Sequence, residues 1–160
     1  MSVAFVREES AEAAQEIALP ERPISAHPNL VTRSGLAALE RGAAESGEAL
    51  KAAQAIEDPN ERRWAVELAA RDARYFSERR ASAILRPEPD SAERVSFGHR
   101  VTILRDDERG QTFRIVGEDE ADPRAGTISY VAPLASRLIG KRVGDVVEMD
   151  GHEIEILEIA

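Results

Sequence analysis

The chain has 160 residues, no cysteine, and 30 acidic against 21 basic side chains, for a formal charge of -9 at pH 7. Without cysteine there is no disulfide, thiol nucleophile or Cys-based zinc site, and His27, His99 and His152 are too scattered for a paired zinc motif. An acidic chain is not made to coat DNA non-specifically, and no apolar run approaches the roughly 20 residues of a membrane span, so the expectation is a soluble, cytoplasmic, monomeric protein with no membrane partner.

Residues 1–29 read as a flexible N-terminal tail. An Ala/Glu-rich stretch is followed by Pro20, Pro23 and Pro28, and proline removes a backbone donor and disfavours helix in the residue before it. Residues 30–86 are rich in Ala, Glu and Arg, all good helix formers. Thr32 can cap a first helix carrying Leu36, Leu39, Ala43, Leu50 and Ala53 at helical spacing. A second helix carries Trp64, Leu68, Tyr75, Ser82 and Leu85. Between them Asp58-Pro59-Asn60-Glu61 has the pattern of an N-cap, a first-turn proline and a capping-box glutamate. Two helices of similar length on a short connection predict an antiparallel helical hairpin, a coiled coil with its tip near 57–60.

Residues 87–94, opened by Pro87 and Pro89, read as a stiff linker. From 95 to 160 the period changes to that of strands, predicted at 95–97, 101–104, 112–116, 127–131, 146–149 and 153–159. Asp150-Gly151 signals a tight hairpin. One short helix is predicted from Pro133 to Ile139, closed by Gly140. The fold class is therefore α+β: an N-terminal helical hairpin, then a small α+β domain.

The region from 95 to 160 carries specific blocks in order: Val95-Ser96-Phe97-Gly98, Phe113 to Asp122 (FRIVGEDEAD), Gly126-Thr127-Ile128-Ser129, Ala132-Pro133-Leu134-Ala135, Leu138-Ile139-Gly140-Lys141, and Val143-Gly144-Asp145. In these it resembles the C-terminal domain of the bacterial transcription elongation factors GreA and GreB, with Ala132 where the family has serine. The resemblance implies an FKBP-like α+β domain behind the coiled coil. It also implies binding to RNA polymerase at its secondary channel and action on stalled or backtracked complexes. The factor would be no enzyme itself but would lend tip acids to the polymerase. It would need no cofactor of its own and would bind no metal stably when free, sharing the polymerase's magnesium.

Carried onto this sequence, the tip acids are Asp58 and Glu61, with Glu57 beside them. Two carboxylates at a flexible turn suit a cation that takes hard oxygen ligands and keeps its waters. A plain cap would use the same two residues. An alignment that keeps the family's first-helix length instead places Leu68 and Arg71 at the acid positions, and cleavage would then be lost. Arg71 and Arg74 lie on a basic helix that, by resemblance, touches nascent RNA, although paired acids on a solvated face would look the same. The polymerase-binding residues implied are Asp119, Glu120, Asp122, Pro133 and Leu134. Two further readings remain open: a non-cleaving factor that blocks or competes at the channel, and a regulator of another enzyme of the nucleoside diphosphate kinase regulator type.

Overall fold

A computed structural model describes residues 18–160. In chain order the elements are β1 (Leu30–Val31), α1 (Arg33–Gln54), α2 (Pro59–Ser82), β2 (Ile84–Leu85), β3 (Arg100–Arg105), β4 (Gly110–Val116), two single-turn 3-10 segments (Glu118–Glu120 and Pro123–Ala125), β5 (Thr127–Ser129), α3 (Pro133–Leu138), β6 (Val146–Met149) and β7 (His152–Ile159). The class is α+β, as the change of period predicts. The chain forms two compact units. One holds residues 18–24 with Glu40–Ala81, the other Ser25–Leu39 with Ser82–Ala160. The division differs from the expected cut at 29/30, because the root of the hairpin is counted with the sheet. Of the expected tail, residues 1–17 lie outside the described residues, and 18–29 make side-chain and backbone contacts rather than running free.

In the first unit, α1 and α2 are antiparallel arms. The last turn of α1 tightens, with the Ala55 and Ile56 amides donating to the carbonyls of Ala52 and Ala53 at 3.2 Å, the 3-10 ending common at helix termini. The arms approach through small residues. A Cβ on Gly42 would lie 2.6 Å from the Phe76 ring, and Ser46 and Ala53 are buried on the same arm. Ser46 satisfies its buried hydroxyl by donating to the Gly42 carbonyl at 2.7 Å.

The inner face of α2 is not lined by its largest apolar residues. Trp64 is 49% exposed and Leu68 39%, while Val66, Ala69, Ala73 and Phe76 are partly buried. Small residues give helices the closest approach, and Gly42, Ser46 and Ala53 on one arm with Ala69 and Ala73 on the other supply them.

In the second unit, β1 and β2 pair in parallel, Leu30 with Ile84 and Val31 with Leu85. The five-stranded sheet has the order β5-β4-β3-β7-β6, antiparallel except for β4 with β5. One face and α3 enclose a core of Val101, Ile103, Phe113, Ile115, Ala135, Leu138, Val147, Ile154, Ile156 and Ile159, with Val95 at its edge.

Strict alternation along β7 fails after Ile156, since the next buried residue is Ile159. The register between β3 and β7 shifts there, pairing Ile156 with Ile103 but Glu158 with Thr102. The extra residue, Leu157, is left 44% exposed, and the bulge restores Ile159 to the core face. Asp150 and Gly151 both have positive φ, 56° and 77°, in the two-residue turn between β6 and β7, the geometry that Asp-Gly favours. The strand expected at 95–97 is absent. Gly98 turns the chain at φ 95°, the His99 amide donates to the Ser96 carbonyl at 3.2 Å, and the Val95 backbone bonds to the Lys141 carbonyl and the Gly140 amide instead of to a strand.

Candidate functional site: the hairpin turn and the acidic loop

At the hairpin turn, Asp58 is the N-cap of α2. Its Oδ1 accepts the amides of Asn60 at 2.9 Å and Glu61 at 2.8 Å, two of the donors that a helix start leaves without intrahelical partners. Its carbonyl accepts the first helical bond from Arg62, at 2.9 Å. Arg62 also donates from Nη1 to the Ile56 carbonyl at 3.0 Å, tying the second arm to the end of the first. The expected capping box forms only half. Glu61 is exposed, and among the described residues no hydrogen bond or ion pair to its carboxylate is formed. Glu57, Asp58 and Glu61 are all exposed. Among the described residues no group of three or more His, Asp or Glu side chains is arranged to hold a metal ion.

Further along α2, Arg74 is already engaged, whereas the buried Arg71 Nε makes no hydrogen bond among the described residues. Arg74 makes a two-pronged contact with Glu21, Nε to Oε2 at 3.1 Å and Nη2 to Oε1 at 2.5 Å, and lies 4.0 Å from Glu67. The Arg74 hydrogen bond holds the Glu21 carboxyl below its ordinary range, and Glu21 in turn raises Arg74. Arg71 is half-buried, 3.9 Å from Asp72. The i,i+4 pair of Glu67 with Arg71 that the spacing allows does not form; Glu67 reaches one turn further. The charged tail residues that occupy this face were missed from the sequence. The signal available was Glu21-Arg22 held between Pro20 and Pro23.

The acidic loop is folded by its own acids. Asp122 caps the second 3-10 turn through Oδ1, accepting the Arg124 amide at 3.0 Å. Its amide donates to Thr127 Oγ1 at 2.8 Å, and that hydroxyl donates to the Glu120 carbonyl at 3.0 Å. Asp119 and Pro133 are exposed, whereas Leu134 is half-buried against the core.

Glu120 departs furthest from its expected role. Oε2 accepts the Thr32 amide at 3.0 Å and the Gly117 amide at 3.3 Å. Oε1 accepts Ser34 Oγ at 3.3 Å and the Thr32 hydroxyl. A carboxylate with four donors around it acts as a fastener within the fold.

Residues 89–160 match the sequence model of the family described as "Transcription elongation factor, GreA/GreB, C-term". Over these residues, somewhat under half of the chain, it is similar to the GreA/GreB family. It is similar to the transcription elongation factor GreA of Beijerinckia indica, 44% identical over 75 residues, which are 44% of this chain and 48% of the relative. It is similar also to GreB of Neisseria meningitidis serogroup B, 41% identical over 95 residues, 56% of this chain and 58% of that one. The chain thus spans about half the length of the curated relatives it matches. Among solved structures, GreA factor homolog 1 of Thermus thermophilus aligns over 84% of this chain and 99% of its own at 21% identity, with a TM-score of 0.39. The GreA/GreB match takes in α3, the sheet and the acidic loop, and leaves out both arms of the hairpin and its turn.

Proposed function

We propose that the protein is an accessory transcription factor of the GreA/GreB type. It docks on RNA polymerase through the loop carrying Asp119, Asp122 and Pro133, and presents the hairpin turn at the secondary channel to stalled or backtracked complexes. The observation that carries this reading is the match of residues 89–160 to the GreA/GreB C-terminal family. Glu120 and Leu134 shape that surface from within rather than meeting a partner. Exposed acids facing basic groups supply steering and register more than raw affinity.

At the turn, the acids fit magnesium held chiefly by something else. They are too few to bind it alone, but Mg²⁺ keeps several waters and accepts one or two carboxylates. At the polymerase, bound magnesium would polarise the scissile phosphodiester and favour attack by water. This chain would supply Glu61 and the second oxygen of Asp58, with Glu57 adding negative charge beside them. A non-cleaving factor is favoured by one observation: Asp58 already spends Oδ1 on two amides.

Transcript cleavage by a backtracked elongation complex separates the two. Asp58→Asn and Glu61→Gln remove charge while leaving a side chain that caps as well or was never bonded. Loss of stimulated cleavage in both, with polymerase binding retained, is the expected result. A wild-type protein that binds polymerase and gives no cleavage above background rejects the cleaving role and leaves the channel-blocking one.

A further inference from the structure

The segment preceding the hairpin lies along α2 as a strap. Arg22 anchors it: its guanidinium sits 3.8 Å from the centroid of the Tyr75 ring and 5.2 Å from that of Phe76, and Nη1 donates to Asp72 at 3.2 Å. Stacking plus a charged hydrogen bond is the arrangement in which arginine binds best. Glu21, one residue earlier, takes the fork of Arg74. Pro20 and Pro23 flank the pair and limit the conformations lost when it docks.

The strap is held by polar tips rather than by a filled core. A cavity of about 790 Å³, lined by Leu50, Ala73, Tyr75 and Ala81 among others, remains beside it. Both members of the Glu21–Arg74 pair are more than half exposed or at that level, 62% and 50%. Exposed pairs of this kind are held only weakly.

We propose that the strap is a built-in competitor for the Arg74 face of α2: Glu21 occupies the guanidinium fork that would otherwise take a phosphate of single-stranded RNA, and Arg22 keeps it there. A carboxylate and a phosphate offer the same pair of acceptor oxygens to that fork. The face around Arg74 holds Arg22 and Arg71 as further cations and Glu67, Asp72 and Glu78 as the other acids, so removing Glu21 shifts the local balance toward an anionic ligand. The inference rests on the reading, implied by the GreA/GreB resemblance, that Arg71 and Arg74 touch nascent RNA.

The test is fluorescence anisotropy of a labelled oligouridylate titrated with the full chain at low ionic strength. Glu21→Gln should bind about fivefold tighter than wild type, a gain that shrinks as salt rises. Glu93→Gln removes the same charge elsewhere and should change nothing. Adding Arg74→Ala to Glu21→Gln should erase the gain. The proposal is overturned if Glu21→Gln binds no tighter than Glu93→Gln, if the gain survives loss of Arg74, or if neither wild type nor Glu21→Gln binds measurably. Failure here is distinct from failure of the cleavage reading: a protein that stimulates no cleavage yet shows the Arg74-dependent gain keeps the strap and loses the turn chemistry.

Discussion

Glu120 closes the N-terminus of α1 by accepting the Thr32 amide, and Thr32 Oγ1 in turn accepts the Gly35 amide at 3.1 Å. Thr32 is thus the N-cap, and a carboxylate from 88 residues away completes it. The negative charge stands at the positive end of a 22-residue helix. Gly35 and Gly117 make room for it. A Cβ on Gly35 would fall 2.1 Å from the Glu120 carboxyl carbon, and one on Gly117 would fall 2.3 Å from the Leu30 carbonyl.

Glu120→Ala should therefore destabilise the folded chain by about 2 kcal/mol, since it leaves the Thr32 and Gly117 amides without their acceptor. Glu120→Gln, which keeps one acceptor oxygen but no charge, should cost about half as much. Urea unfolding of the two variants checks the order. If Glu120→Ala unfolds with the wild-type midpoint and slope, the carboxylate is not a fastener. A polymerase-binding deficit in Glu120 variants should track this loss of stability, whereas one in Asp119 variants should not.

Two glycines on α1 predict opposite signs for the same substitution. Gly47 has nothing within 4 Å of a built Cβ, so Gly47→Ala should stabilise by about 1 kcal/mol, the helix-propensity difference. At Gly42 the same propensity gain meets the Phe76 ring at 2.6 Å. Overpacking costs about 1 to 3 kcal/mol, so Gly42→Ala should be neutral to destabilising by about 2 kcal/mol. Thermal melts should rank Gly47→Ala above wild type and Gly42→Ala at or below it. The reverse ranking would mean the arms do not meet at Gly42.

These contrasts mark what the sequence discloses. Local chemistry was legible: the Asp58-Pro59 helix start, the Asp150-Gly151 turn, the change of period after Pro89, and the ordered blocks between 95 and 160. Those features depend on residues adjacent in the chain. What was not legible depends on residues far apart. That Trp64 and Leu68 lie exposed on the second helix depends on which face meets the neighbouring arm. Glu120 looked like its neighbour Asp119 because only the fold brings Thr32 to it. Glu21 and Arg22 looked like tail because their partners, Arg74 and Asp72, lie about 50 residues on. The half-formed capping box failed for a different reason: the spacing permits the Glu61 bond but does not compel it.

Asp106 supplies a pH dependence. Its carboxyl is held below the ordinary value of 3.8, first by the hydrogen bond from His152 Nδ1 at 2.7 Å and then by the Glu153 amide at 3.2 Å. A depressed carboxyl contributes stability that is fully present above its unfolded value and is lost as pH falls through the lower folded value. The Asp106 carboxyl carbon, followed by NMR, should therefore titrate below 3.8, and in His152→Ala it should move up toward that value. A wild-type midpoint at or above 3.8 would remove the His152 contact from consideration in solution.

The start of α3 offers a gain rather than a loss. Ala132 is its N-cap, in the extended conformation (φ -60°, ψ 145°) that a cap requires, followed by Pro133, but it has no side-chain oxygen to give the first amides. The Ser136 amide already donates to the Ala132 carbonyl at 2.9 Å, so the backbone is in place and only the hydroxyl is missing. Asp122, ahead of the neighbouring 3-10 turn, shows what such an oxygen does, accepting Arg124 at 3.0 Å. Ala132→Ser should stabilise the folded chain by about 1 kcal/mol, a rise of about 3 °C in the melting temperature for a chain of this size. Ala132→Thr should act in the same direction with a smaller effect, because threonine is the weaker cap of the two. Since Ala132 also packs against the core, the hydroxyl must find an amide to offset its partial burial. A melting temperature unchanged or lowered in Ala132→Ser would show that desolvation wins, and that alanine is the better residue at this corner of the loop.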